Sequence, residues 1–495
     1  MSNRQKSTTD AISRLVNKIK SINPKNGVVA FVVTLDITAA FDNLRWNDII
    51  NTLESKQINK HLIELTKSYL CDRQISLNFS DYKSHRYLYK GIAQGSKSGP
   101  GFFNLVLDEL LIKVKTLHNK NIDCYAYADD IIVISHGHYD FALKRLNDCL
   151  ETIYNWGQDH DLLLNPNKSN VLMFGRYNQE SYNACSPKIF INGIQIERRT
   201  HLKYLGVIID DRLTWNEHIN YIIESTKCLT NKIQFLLKNK FGLNPLSRWF
   251  IYKQIVEAKL TYGSQIWSPD LQLNKLKKIE RAQEQFARKV ISGWKNMSGS
   301  KALALAGMIP IKFIFNQRYE IHQLQKRGKL DRLNITLNNH KIKWYTASNT
   351  EMKDYVKELN SLKCQIKKDN RQKAHDHLIE RIGKLSNLFK NGNLFTNRLT
   401  LELTDWSTTQ HLSGTGLFGK HLKTIKIQDH SHCTRCNHPE DTAKHRMFDC
   451  IKLNDERLKY LYKNNIFTLD DIFKILDSKQ NIVDFKKFCK ISMSS

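Results

Sequence analysis

Residues 28–35, VVAFVVTL, are apolar at every position but Thr34, and the run ends on Asp36. It is far too short to span a bilayer and reads as a buried strand that delivers Asp36 at its C-terminal end. Apolar residues then return at helical spacing. Trp46, Ile49, Ile50 and Leu53 mark one face of a helix that Asp42 or Asn43 is placed to cap. A second helical stretch, His61 to Leu70, leads to Arg73 and a short strand, ISLNF. Next comes GIAQGSKSGPGFFNLVLDELL. Its first half is a glycine-rich loop, Pro100 suits a helix start, and Phe103, Leu107, Leu110 and Leu111 follow at helical spacing. Residues 124–135, CYAYADDIIVIS, read as strand, tight turn and strand, with Asp129 and Asp130 in the turn. An amphipathic helix through Leu143, Leu146, Leu150 and Ile153 follows, and Gly157 is placed to end it. The order β-α-β-α-ββ-α-β predicts an α+β fold with helices on one face of the sheet.

From about residue 216 the pattern turns helical and basic. Ile219, Ile222, Ile223, Thr226, Leu229 and Ile233 form one apolar stripe, and Leu276, Ile279, Phe286 and Val290 another. Lys277, Lys278, Arg281, Arg288 and Lys289 surround the second. Residues 330–390 are polar, basic and weakly periodic, which suggests a helical linker. No internal repeat is visible.

A chain of 495 residues exceeds one compact core, and 41% hydrophobic with 10% aromatic residues supplies enough apolar surface for folded domains. The formal net charge of +28 changes the picture more. An excess of that size in a globular chain points to phosphate-bearing partners, with solvated basic faces as the plainer reading. The opening MSNRQKSTTDAI has no apolar core, so no secretory signal is visible and no membrane partner is expected.

Of ten cysteines, seven are scattered and three cluster with a histidine near the C-terminus. That suits a reducing compartment with one metal site better than a disulfide framework. Cys433, Cys436, His445 and Cys450 read C-x2-C-x8-H-x4-C, three thiolates and an imidazole of the kind that hold tetrahedral Zn2+, with His438 as the alternative imidazole. The acidic residues offer a second metal chemistry. An Asp-Asp hairpin tip beside a strand ending in Asp36 would bring carboxylates from distant segments to one spot, as Mg2+ requires. Spacing alone does not single this pair out, because Asp210–Asp211 also follow an aliphatic run.

The segments LDITAAFD (35–42), GIAQGSKSGP (91–100), YADD (127–130), LNPNKS (164–169) and YLGVIID (204–210) resemble, in order and context, the palm motifs of reverse transcriptases of the non-LTR (LINE-type) retrotransposons. YGSQIW (262–267), the basic segment KKIERAQEQFARKVISGW, ALAGMIPI and HLSGTGLFGKHL look like the Jockey-related group, and within it the arthropod clade that inserts into ribosomal DNA. The resemblance implies a right-hand polymerase palm, an antiparallel sheet with helices, with partial fingers, a helical thumb and a C-terminal zinc-binding module. It implies RNA-directed DNA polymerase activity by two-metal nucleotidyl transfer, with two Mg2+ (or Mn2+) ions held by Asp36, Asp129 and Asp130 and the Ile37 carbonyl as a further ligand.

By the same resemblance Phe41 is the steric gate under the incoming sugar, and Gln94 and Gly95 contact nucleotide or template. Lys168 meets the leaving pyrophosphate, Leu205 and Gly206 form the primer grip, and Arg73 is a weaker candidate for template contact. Lys97 and Ser98 depart from the family's usual aliphatic pattern.

The expected division is a fingers remnant at 1–30, palm at 31–215 with an interleaved fingers segment at about 43–95, and thumb at 216–310. A basic helical linker region follows at 311–425, then the zinc module at 426–455 and a tail at 456–495. The implied partners are an RNA template, a DNA primer or target and deoxynucleoside triphosphates. Residence as a ribonucleoprotein in nucleus and cytoplasm is the family expectation. An endonuclease domain and the first fingers strands are expected elsewhere or missing. That leaves a catalytically silent nucleic-acid-binding remnant as the second reading, and an intron-encoded maturase as a third that YGSQIW and the cysteine spacing disfavour.

Overall fold

The computed structural model describes residues 7–22, 28–79, 82–117, 121–175, 187–237, 242–339, 349–389, 395 and 399–494, with backbone alone at 327–339, 349–356 and 399. Parts of the expected fingers remnant (residues 1–6 and 23–27) and of the linker region (340–348, 390–394 and 396–398) lie outside the described residues. The chain divides into two compact units, residues 1–218 and 219–495.

The first unit is built on a four-stranded antiparallel sheet. Its strands are β1 (Val28–Leu35), β4 (Ile122–Tyr127), β5 (Asp130–His138) and β6 (Asn170–Phe174), in the order β4-β5-β1-β6. β1 lies between β5 and β6, which explains its nearly continuous apolar sequence: both faces are covered. One face carries Val29, Phe31 and Val33 with Val133 and Met173. It packs on α3 (Trp46–Ser55), α5 (Gly99–Leu117) and α6 (Tyr139–Asp159), whose Ile49, Phe103, Leu107, Leu146 and Ile153 are all buried. The expectation of helices on one face needs correction. On the other face α1 (Thr8–Ile22) reaches β4, with Lys18 paired to Asp123 at 2.8 Å and Arg14 over the Tyr125 ring.

Two local readings also change. Asp42 and Asn43 do not cap α3. They belong to a separate turn of helix, α2 (Ala40–Asn43), and Arg45 takes the N-cap position while holding Asp48 through two 2.9 Å bonds. Gly157 does not end α6. It is buried inside the helix, where a Cβ would stand 2.6 Å from the Leu162 carbonyl, so the glycine permits the tight reversal that follows.

α4 (Lys60–Leu70), capped by the Asn59 side chain, leads into a separate two-stranded ribbon, β2 (Gln74–Phe79) with β3 (Tyr82–Tyr87). The unit closes with two short hairpins, β7 (Phe190–Ile191) with β8 (Ile194–Gln195) and β9 (His201–Tyr204) with β10 (Val207–Asp210). The latter is tied to β6 through the Arg199 N–H on the Val171 carbonyl. α7 (Asn216–Lys232) begins here and buries Ile219 and Ile222.

The second unit is helical. Its longer elements are α8 (Pro245–Ile251), α9 (Leu273–Val290), α10 (Ile311–Asn339), α11 (Asn349–Ile382), α12 (Trp406–Ser413) and α13 (Lys479–Met493). α9 buries Ile279, Phe286 and Val290 as its periodicity predicts. Its Gln283 is fully satisfied inside the core: the amide donates to the Tyr252 hydroxyl and the Ile309 carbonyl and accepts from the Ile311 N–H, at 2.7–2.8 Å. The His411 ring joins α12 to α13 through the Ser492 hydroxyl at 3.0 Å. Among the described residues no helix is long and apolar enough to cross a membrane.

Candidate functional site

β1 and β5 pair with Leu35 opposite Ile131, so one further step of the register sets Asp36 opposite Asp130. Alternation puts both on the face away from α5 and α6. The β4–β5 connection is a two-residue turn, Ala128–Asp129, closed by the pairing of Tyr127 with Asp130. Ala128 takes a positive φ of 53° and Asp129 does not, the sign pattern of a type II′ hairpin turn. Asp129 is therefore held at the exposed tip beside Asp130.

Burial first, and then the charges of Asp129 and Asp36, push Asp130 above the usual carboxylate range. The Asp36 Oδ2 atom is shielded from solvent and accepts no hydrogen bond, although its residue as a whole is half-exposed. The Lys168 Nζ lies 3.6 Å from that oxygen, within ion-pair reach but beyond a hydrogen bond. The charges of Asp129 and Asp36 act on Asp130, and one Asp36 oxygen is shielded and unbonded, a setting that a divalent cation would relieve, although among the described residues these three carboxylates do not converge as a ready-formed metal group.

Asp36, Asp130 and Lys168 line an open cavity of about 720 Å3. Its other wall is the segment 197–204, including Arg198, Arg199, Lys203 and Tyr204. The acidic floor and basic rim suit a phosphate chain carrying metal. Sequence reasoning missed this rim, although the run ERRTHLKY next to the expected primer grip carried the signal. Tyr204 is buried, and burial, followed by the nearby Asp130 charge, raises its phenol. It ends β9, and the turn Leu205–Gly206 follows with both residues at positive φ, 45° and 84°.

The remaining sequence candidates stand outside this lining. Ile37 is buried and bridges to Leu164, while the neighbouring Asp36 carbonyl accepts from the Asn165 N–H at 2.9 Å. That bond places the LNPNKS turn, and with it Lys168, beside Asp36. Phe41 is partly buried and packs on Phe103 with ring centroids 5.0 Å apart. Gln94 and Gly95 are exposed in the loop before α5, with Gly95 at a φ of 87°. The rival pair separates cleanly: Asp210 is buried and accepts from the N–H groups of Arg212, Thr214 and Trp215, a structural role in the turn before α7.

In the second unit Cys433, Cys436, His445 and Cys450 present ligand atoms that all lie within 4.8 Å of one another. Cys436 Sγ and His445 Nε2 are 3.2 Å apart. His438 stacks on His445 at 4.3 Å with its Nδ1 engaged by the backbone of Glu440, and it is His445, not His438, that joins the three cysteines in the cluster. The donor set fits a tetrahedral soft metal. Around it Arg446 makes a buried two-bond pair with Asp441 at 2.6 and 2.8 Å and also reaches the Ser492 and Leu417 carbonyls. Asp441 accepts the Gly419 N–H, so the Cys/His cluster, the segment 417–419 and α13 form one packed body.

Residues 2–209 match the family model described as reverse transcriptase (RNA-dependent DNA polymerase). The chain is 25% identical over 236 residues to the retrovirus-related Pol polyprotein of type-1 retrotransposable element R1 of Bradysia coprophila, covering 48% of this chain and 23% of that protein. It is 27% identical over 256 residues to the probable RNA-directed DNA polymerase from transposon X-element of Drosophila melanogaster (51% and 27% covered). It is also 27% identical over 293 residues to the RNA-directed DNA polymerase from mobile element jockey of Drosophila funebris (58% and 31% covered). The chain thus spans between 23% and 31% of the length of these relatives.

Proposed function

We propose, for a chain whose residues 2–209 belong to the reverse transcriptases of non-LTR retrotransposons, that it extends a DNA primer on an RNA template from deoxynucleoside triphosphates. The observation that carries this reading is the meeting of Asp36 and Asp130 across the β1–β5 register, with Asp129 at the tip and Lys168 3.6 Å from Asp36. Asp36, Asp129 and Asp130 would hold Mg2+ or Mn2+, which when bound supplies charge stabilisation and a more acidic primer hydroxyl. The chain's own groups do the rest. The primer oxygen forms a bond to the α-phosphorus as the bond to pyrophosphate breaks. Lys168 offers positive charge and a proton at the leaving group. The β9–β10 hairpin, with Tyr204 against the acidic floor and Leu205–Gly206 at its turn, positions the primer end.

The basic faces of α9 would track duplex phosphate. The Cys433–Cys436–His445–Cys450 cluster would hold structural Zn2+. Phe41 on α2, and Gln94 and Gly95 in the loop that precedes α5, would contact the nucleotide or template from outside the cavity lining. Work as a ribonucleoprotein in nucleus and cytoplasm belongs to the same proposal.

The test is copying of an RNA template by the purified chain with Mg2+ and all four deoxynucleotides. Template-dependent extension by the chain supports the reading. No extension, with salt-sensitive RNA binding retained, would establish the silent-remnant alternative.

A further inference from the structure

Among the described residues the β2–β3 ribbon pairs with no other strand, and every residue of its two strands but Ser84 is exposed. Two strands alone are marginal in water, so a ribbon built only for stability gains nothing from bare aromatic rings. Yet Phe79, Tyr82 and Tyr87, with Tyr89 just beyond, are 63–83% exposed. Residues 73–90 carry four basic side chains, Arg73, Lys83, Arg86 and Lys90, against one acidic, Asp81. At the root of the ribbon lies a cavity of about 320 Å3, lined by Trp46, Tyr87 and Tyr89 together with Ile50, Lys67 and Asp72. That volume is at the small end of the range for sites that take a compact ligand, roughly 300–1,000 Å3.

The root is fixed by its backbone. The Leu88 N–H donates to the Arg73 carbonyl at 2.8 Å, Arg45 bridges to Lys90, and the Trp46 indole N–H is taken by the Gly91 carbonyl at 2.8 Å. Its ring faces are thereby set without using them. Aromatic faces amid positive charge are how single-stranded nucleic acid is held without sequence preference: bases stack, phosphates are neutralised. An apolar protein partner would use the rings but not the charge excess.

We infer that the root of the β2–β3 ribbon is a stacking site for a single-stranded polynucleotide, one base entering the cavity between Trp46, Tyr87 and Tyr89. This deepens the polymerase reading, on which it rests only for the source of such a strand. The site lies directly before the loop that carries Gln94 and Gly95.

The experiment measures binding of a short RNA oligonucleotide to the full chain, without nucleotides, by fluorescence anisotropy. The variants are Tyr87→Ala with Tyr89→Ala, and the Phe pair at the same positions. The Ala pair is expected to weaken binding at least about five-fold, and the Phe pair to bind as the unaltered chain does. An abasic nucleotide at the stacked position should weaken binding to the unaltered chain by a similar factor and leave the Ala pair unaffected. A DNA oligonucleotide of the same sequence, run in parallel, distinguishes the two sugars.

Equal binding by the Ala pair overturns the inference, as does an abasic penalty of the same size in both proteins. If the Ala pair binds RNA normally but sediments as a smaller species, the surface docks protein and the inference is wrong. Because binding is read without catalysis, failed extension with an intact abasic coupling would sink the polymerase reading alone.

Discussion

Replacing Lys168 with alanine separates a stabilising ion pair from a catalytic charge. The Lys168–Asp36 contact spans 3.6 Å, and its side chains are 67% and 37% exposed. A pair that is long, monodentate and largely solvated contributes about 0–1 kcal/mol to stability. For a unit of this size that is less than about 4 °C in melting temperature. If Lys168 instead meets the leaving pyrophosphate, its loss removes a proton donor and a charge. The nucleotide-incorporation rate should then fall by roughly 10²–10⁴-fold.

A third quantity moves the other way. Lys168 is the cation beside the acidic floor, so its removal should lower the Mg2+ concentration needed for half-maximal rate. Lys168→Arg keeps the charge but is a poor proton donor, and should recover only part of the rate. Single-nucleotide extension by rapid quench, with a melting curve and an Mg2+ titration on each variant, provides the readings. A melting temperature many degrees lower, with a rate loss that tracks it, would refute the reasoning, and so would an unchanged rate.

Other consequences follow from the same geometry. Burial lowers His218 to about 4 while its Nδ1 accepts from the Ile208 N–H. The folded state therefore keeps the ring neutral, and stability is lost as pH falls from about 6.5 toward 4, on the order of 3 kcal/mol. His218→Asn should flatten that slope in denaturant melts across the window. Asp441→Ala strands the buried Arg446 guanidinium and should cost about 3–5 kcal/mol in the second unit, read by chemical denaturation, whereas a loss under 1 kcal/mol would contradict the packing described. A strong chelator, or Cys433→Ser, should raise hydrogen exchange in α13 and at 417–419 together, since Arg446 and Asp441 link both to the cysteine cluster; exchange confined to 433–450 would show the cluster to be an isolated knuckle.

How far the sequence disclosed this site depends on the kind of signal. Buried strands announce themselves by composition, which is why VVAFVVTL and the turn at Asp129 stand where the pattern predicts them. The rival Asp210–Asp211 looked equivalent because a carboxylate's role depends on what it accepts from. Three backbone N–H groups, brought in by the following turn, make Asp210 structural. The basic run at 198–203 was legible but its direction was not: its residues face the acids because the Val171 carbonyl captures the Arg199 N–H across 28 positions of sequence. Gly157 read as a helix end because glycine has two uses, and only the 2.6 Å approach of Leu162 shows which applies. The ribbon's second strand, YKSHRY, escaped notice because a strand exposed on both faces has no apolar alternation to betray it.

Electron paramagnetic resonance of Mn2+ bound to the chain with primer, RNA template and a non-reactive nucleotide reads the acidic floor directly. An exchange-coupled pair of ions is expected, collapsing to at most one in Asp36→Asn, with RNA affinity unchanged. A spectrum that is the same in both proteins would contradict it.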